Sequence, residues 1–294
     1  MIKQLKYSRF PRKVAAFLML ILFSVSVQAQ SLLWKIDGAK LNTASYLYGT
    51  IHIKDKRVFQ FDQKVYEVLD SCKVFAMEVD LDPSNLAGFA QHLMLPEGKT
   101  LHDIFSPEDY SLIKNILEKE TGMNISMFDR MKPFVLLSLG LNSQIAGDME
   151  VAVDEFLYRR AQQEGIKVKG LETIEEQMEM LDEIPNDYIT DYFRNFQKGA
   201  EDLEEIIRLY CKADLDRLLC LMQEDKTMAS LEKKIITKRN KRMVARIMPL
   251  IKEQPVFIAV GAGHLPGKKG ILKLLDKKGY TVTPVMLKSP VCKP

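Results

Sequence analysis

Two short apolar runs, one near each end of this 294-residue chain, finish in the same way. Ser45-Tyr46-Leu47-Tyr48-Gly49-Thr50-Ile51 leads to His52, and Val256-Phe257-Ile258-Ala259-Val260-Gly261-Ala262-Gly263 leads to His264, so each closes on Gly-x-x-His. Both runs have the length and composition of buried strands, and helical spacing follows each of them. In open α/β sheets, ligands and catalytic groups gather beyond the carboxyl ends of the strands. Two histidines more than 200 residues apart therefore meet in one crevice if their strands are parallel neighbours. That arrangement suits a metal or a proton-transfer centre.

The rest of the pattern is consistent with such a sheet. Residues 45–53, 62–70 and 73–79 read as strand, helix and strand, the last closing on Met77-Glu78-Val79-Asp80. Residues 255–260, 270–278 and 280–286 repeat that βαβ form at the other end. Ser106 and Pro107 mark a helix start, cap then first position, with the helix running to about 120. Residues 131–142 read as a buried helix whose start Pro133 limits. Residues 153–164 are amphipathic and stop at Gly165, after which 166–171 alternate as a short strand ending at Glu172. From 174 to about 252 the spacing is helical, with breaks near Pro185, at 213–216 and near Asp225, and no strand-like run. The expected fold is α/β: a central sheet from two related βαβ-type units with a large helical insertion, residues 30–294 forming one domain and 174–252 a helical lobe.

Residues 1–29 read as a secretory leader. Lys3, Lys6, Arg9, Arg12 and Lys13 precede an apolar stretch over 14–27, and Val27-Gln28-Ala29 is a small-residue cleavage site. The stretch is too short to span a bilayer, so no stable span is expected after cleavage. Gln30 rather than cysteine follows the cut, against a lipoprotein. The expected location is periplasmic or secreted. The leader holds five of the 42 basic residues and none of the 39 acidic ones, leaving 37 against 39, a net of −2. That balance disfavours a nucleic-acid partner, which needs a basic surplus. In an exported chain, Cys211 and Cys220 form either a local disulfide or free thiols.

Four residues at or just past predicted strand ends carry the chemistry: His52, Glu78, Glu172 and His264. Two imidazoles with one or two carboxylates suit Zn²⁺, Mn²⁺, Fe²⁺ or Co²⁺ with a position left for water, and a further carboxylate can relay a proton. Glu172 reads equally as the start of the next helix, and Glu78 as an exposed strand exit. His92 and His102 have surface or structural roles by default. Gly261-Ala262-Gly263 lacks the register of a dinucleotide loop, and its amides can face an anion instead. Neither G-x-S-x-G nor H-E-x-x-H occurs. The basic stretch Lys233, Lys234, Lys238, Arg239, Lys241, Arg242, Arg246 reads as a solvated face, with Arg239-Asn240 a candidate exception.

Tyr46-Leu47-Tyr48-Gly49-Thr50-Ile51-His52, Ala76-Met77-Glu78-Val79-Asp80, Gly170-Leu171-Glu172-Thr173-Ile174-Glu175-Glu176-Gln177, Arg239-Asn240 and the stretch from Val260 to Tyr280 stand in the order found in the TraB/GumN family, which includes the Tiki proteins. The chain resembles that family over nearly its whole mature length. The resemblance implies an α/β core of two related halves, akin to erythromycin-esterase-like proteins, and metal-dependent proteolysis using two histidines, a glutamate and an arginine. Carried over, His52, His264 and Glu78 hold the metal, Arg239 binds a substrate carboxylate or an oxyanion, and Asp154 and Glu172 lie in recurring segments. Lys241-Arg242-Met243 replaces an aromatic that often follows the Arg-Asn pair, and Cys72 stands where a small residue is common. The expectation is an exported metal-dependent hydrolase acting on a peptide or small-molecule substrate. Mn²⁺, Co²⁺ or Zn²⁺ is its cofactor, with Glu172 as proton relay. The alternatives are a protein that sequesters a peptide or ligand in the same crevice and a metal-free esterase using His52 as base.

Overall fold

The computed structural model describes residues 31–38, 41–80, 89–145, 147–224 and 226–287, the side chains of 226–235 aside. The leader and its cleavage site at 1–29 lie outside the described residues. Six strands form one sheet: β1 (Leu33–Asp37), β2 (Ser45–Thr50), β3 (Val74–Val79), β4 (Lys167–Glu172), β5 (Val256–Gly261) and β6 (Thr281–Pro284), in the order β4-β3-β5-β2-β1-β6. β4, β3, β5 and β2 are parallel neighbours, while β1 is antiparallel to both β2 and β6. β5 inserts between β2 and β3, so the first and last βαβ units interleave in one sheet.

The inner parallel strands β2, β3 and β5 are largely buried runs because both their faces are covered, whereas β4 at the sheet edge keeps Lys167 and Lys169 exposed. Val256 to Val260 are all buried, as are Val74 to Met77. Register then decides the site: Thr50 pairs with Gly261, Met77 with Ala259 and Val79 with Glu172. Four strands thus end level with one another on one edge of the sheet, and the residues just past those ends share one region. β1 escaped the reading of the sequence because Lys35 and Asp37 interrupt its apolar alternation; they are ion-paired at 2.6 Å along the strand.

Eleven helices are described: α1 (Gln63–Asp70), α2 (Phe89–His92), α3 (Pro107–Thr121), α4 (Pro133–Gln144), α5 (Val153–Gln163), α6 (Ile174–Leu181), α7 (Asn186–Arg194), α8 (Phe196–Cys211), α9 (Leu215–Glu224), α10 (Lys226–Glu253) and α11 (Ile271–Lys277). Local chemistry sets their starts. The Asp62 carboxylate accepts from Lys64 N, and Ser106 Oγ accepts from Asp109 N with Pro107 in the first turn. Thr173 and Glu176 form a capping box on α6. Beyond α5, Gly165 takes a left-handed φ of 67°, the conformation that ends a helix most readily at glycine.

Met243, Val244, Ile247 and Ile251 of α10 are buried in the main core with the sheet. A second core joins Leu101, Ile113, Leu117 and Leu136 to Ile189, Phe193 and Phe196. The helical layer therefore recruits 101–144 as well as the stretch after 174. Cys211 is disulfide-bonded whereas Cys220 is a free, exposed thiol, so the local Cys211–Cys220 pairing does not form. Cys211 closes α8 and Cys220 lies within α9, on the far side of a turn at Ala213 (φ 54°). Cys72 is a buried free thiol whose pKa burial pushes up to about 12. Among the described residues no helix is long and apolar enough to cross a membrane.

Candidate active site

The two Gly-x-x-His segments pack on each other. A Cβ at Gly49 would lie 3.2 Å from Ala262 Cα, and one at Gly261 would lie 3.2 Å from Glu78 Oε1. Glycine at both positions allows the backbones and the carboxylate to approach closely. The first motif is also tied from behind, where Tyr210 donates its hydroxyl to Gly49 O at 2.9 Å.

His264 ends the single helical turn after β5 and is 5% exposed. Its Nδ1 lies 2.6 Å from Asn240 Oδ1, and Asn240 Nδ2 donates to Lys269 O at 2.9 Å and to His264 O at 3.3 Å. Two carbonyls on one side of the amide require its NH₂ there, which leaves Oδ1 to accept from the imidazole. That network assigns the proton to Nδ1 and leaves the Nε2 lone pair bare. Burial holds His264 below its ordinary pKa, with Glu78 opposing, so the ring is neutral near pH 7. Nε2 faces Glu78 Oε1 at 3.6 Å, two acceptors at a separation compatible with sharing one cation.

Glu78, near the end of β3, is otherwise fully engaged. Gly261 N donates to Oε1 at 2.8 Å, and Arg239 Nη2 donates to Oε2 at 2.5 Å. Burial raises its pKa, but His264, Arg239 and the Gly261 amide together outweigh that and keep it below the usual carboxylate value. The amide at Gly261 thus does face an anion, one supplied by this chain. Arg239, 7% exposed, also donates Nε and Nη2 to Glu172 Oε2 at 2.9 and 2.6 Å. Arg242 Nη2 holds the other oxygen of Glu172 at 2.7 Å, leaving the Glu172 side chain with no exposure.

Arg246 continues the series with Glu176 at 2.6 Å. The basic stretch is therefore not simply a solvated face: Arg239, Arg242 and Arg246 project from one side of α10 toward Glu78, Glu172 and Glu176. Their i, i+3, i+7 spacing opposite two glutamates four apart was the available signal.

His52 is two residues past β2, and its side chain is 72% exposed. Its Nδ1 lies 3.1 and 3.2 Å from the two oxygens of Asp154, in the first turn of α5. That contact raises its pKa, with burial opposing. Both motif histidines are thus held through Nδ1 by an oxygen acceptor, the arrangement that orients Nε2 toward a metal. Asn240 and Asp154, which do the holding, had no assigned role in the sequence reading. His92 and His102 lie near acids elsewhere, Glu175 at 3.8 Å and Asp129 at 3.6 Å.

His52, Gly261, Gly263 and His264 line one cleft of about 650 Å³, along with Tyr188, Asp202 and Tyr210 from the helices. The donor chemistry there, imidazole nitrogen with carboxylate oxygen, fits a divalent transition metal. Two donors, His264 Nε2 and Glu78 Oε1, are already juxtaposed. Among the described residues no three His, Cys, Asp or Glu side chains converge as a ready-made cage.

The sequence pattern of the TraB/PrgY/gumN family matches residues 32–284. The chain is 26% identical over 312 residues to Metalloprotease TIKI1 of Danio rerio, covering 86% of this chain and 62% of that protein. It is 26% identical over 317 residues to Metalloprotease TIKI1 of Homo sapiens, covering 87% and 62%. It is 25% identical over 316 residues to Metalloprotease TIKI2 of Xenopus tropicalis, covering 86% and 59%. The chain spans about three-fifths of the length of these relatives. No solved structure matches.

Proposed function

Because this chain belongs to the TraB/PrgY/gumN family, we propose that it is an exported metal-dependent hydrolase acting on peptides, with its ion held by His264, Glu78 and His52. The observation that carries the reading is the bare Nε2 of His264 opposite Glu78 Oε1, beside a cleft that His52 also lines. The relatives' names supply the proteolytic class. A divalent cation of the Mn²⁺, Co²⁺ or Zn²⁺ type supplies Lewis acidity toward a scissile carbonyl and toward water.

The chain's own residues have distinct tasks in this reading. Asn240 fixes the His264 tautomer, and Asp154 orients His52. Arg239 keeps Glu78 ionised and aimed, and acts at the edge of the substrate site. Glu172, gripped by Arg239 and Arg242, positions that arginine. Tyr188, Tyr210 and Ile206 form part of the cleft wall against which a peptide would pack. The disulfide at Cys211 supports export, since such bonds persist in oxidising compartments.

Elemental mass spectrometry of the protein loaded with Mn²⁺, Co²⁺ and Zn²⁺ tests the site. Near-stoichiometric metal is expected in the wild type and is lost in His264→Ala and His52→Ala. Full occupancy in both variants, or peptide hydrolysis untouched by a chelator, overturns the proposal. A wild type that takes up no metal points to sequestration or a metal-free esterase instead.

A further inference from the structure

A second hollow, of about 460 Å³, adjoins the histidine cleft and shares Ile206, Met222 and Ile236 with it as common wall. Its remaining lining is mainly apolar, including Leu141, Met180, Ile184 and Leu203. The volume lies within the range of about 300–1,000 Å³ seen for small-molecule sites, well beyond a packing defect. Among the described residues, the charged side chains in its lining are Asp202 and Arg239. The Arg239 guanidinium is already engaged by Glu78 and Glu172, and Asp202 disfavours an anion. Among the described residues, a fatty-acid carboxylate or a phosphate would find no uncommitted cation in this lining, whereas an uncharged apolar group would find a matching surface.

We infer that this hollow is a specificity subsite of the cleft, taking a bulky uncharged side chain of the leucine, methionine or phenylalanine type from a peptide whose backbone lies across His264. The inference rests on the peptide-hydrolase reading for the origin of its ligand. The shared lining residues set the two spaces side by side, so a residue adjoining the scissile bond has one large apolar space next to it. In an apolar pocket, one methylene is worth about 10–200-fold in discrimination. A leucine-bearing peptide should therefore outcompete its alanine counterpart at least tenfold.

Methionine-methyl NMR of the full protein tests this without requiring turnover. Met180 lines the apolar hollow, and Met222 stands on the common wall. Titration with N-acetyl-leucyl-leucine amide is expected to move both signals, with a midpoint at least tenfold lower than that of N-acetyl-alanyl-alanine amide. Leu141→Asp, at an exposed position of the lining, should weaken the leucine probe about tenfold and leave the alanine probe unchanged. Equal midpoints for the two probes, or a Met180 signal unmoved by the leucine probe, overturn the inference. A Met180 response with neither peptide hydrolysed upholds the subsite while refuting the hydrolase. Hydrolysis with Met180 silent does the reverse.

Discussion

Asn240→Leu isolates the one side chain that decides which nitrogen of His264 is available. Asn240 is 1% exposed, accepts from His264 Nδ1, and donates to the carbonyls of Lys269 and His264. Leucine has similar size but none of these groups, so packing survives while a buried imidazole N–H loses its acceptor. Stranding one buried donor costs about 1–3 kcal/mol. With the two carbonyls also losing their amide partner, about 2–4 kcal/mol is expected in urea denaturation, a large share of the roughly 5–15 kcal/mol typical of a folded domain. Imidazole ¹⁵N spectra of the metal-free protein at neutral pH should report Nδ1–H in the wild type and a mixed tautomer in the variant. Metal affinity should fall about 10–100-fold, as it does when such an orienting partner is removed. A wild-type His264 carrying its proton on Nε2, or a variant within about 0.5 kcal/mol of wild type, refutes the tautomer reasoning.

Two further perturbations probe the frame around the site. Gly147→Ala puts a methyl into the Lys54 side chain, where Met149 N already donates to Lys54 O at 2.9 Å; strain of about 1–3 kcal/mol should appear as a lower Tm and a loosened His52–Asp154 pair, and an unchanged Tm would show that the loop yields freely. The Arg246 guanidinium, against opposition from burial, holds the Glu176 carboxyl below the ordinary 4.5, so its stabilising contribution is full above about 4.5 and is lost as pH falls through the lower folded value. Glu176→Gln should accordingly lower Tm at pH 7 and converge with wild type in acid, and a Tm difference that stays constant down to pH 3 contradicts the pair's role.

Much of the architecture was legible because it rests on local chemistry. Val256 to Val260 can only be a buried strand, Ser106-Pro107 can hardly avoid starting a helix, and Gly165 stops one. Glu78, Glu172, His52 and His264 stood out for the same reason, as polar groups at or just past the ends of strands, where the structure places them. β1 was missed where Lys35 and Asp37 broke the alternation, and its strand conformation is held by pairing with β2 and β6. Arg242 and Arg246 looked solvent-facing because helical spacing shows that they share a face of α10 but not that Glu172 and Glu176 fold against that face.

The sequence by itself determined five of the six strands, most helix ends and the two Gly-x-x-His exits, since these depend on neighbours within a few positions. Only the tertiary structure decided which polar groups act on one another. Asp154 reaches His52 across 102 positions, Arg239 reaches Glu78 across 161, and Asn240 reaches His264 across 24. Each partnership depends on strand order and register bringing distant backbone within about 3 Å of hydrogen-bonding contact, and a hydrogen bond weakens steeply once that distance or angle is lost. Local spacing carries no record of such distances, so the sequence could name the histidines but not the groups that aim them.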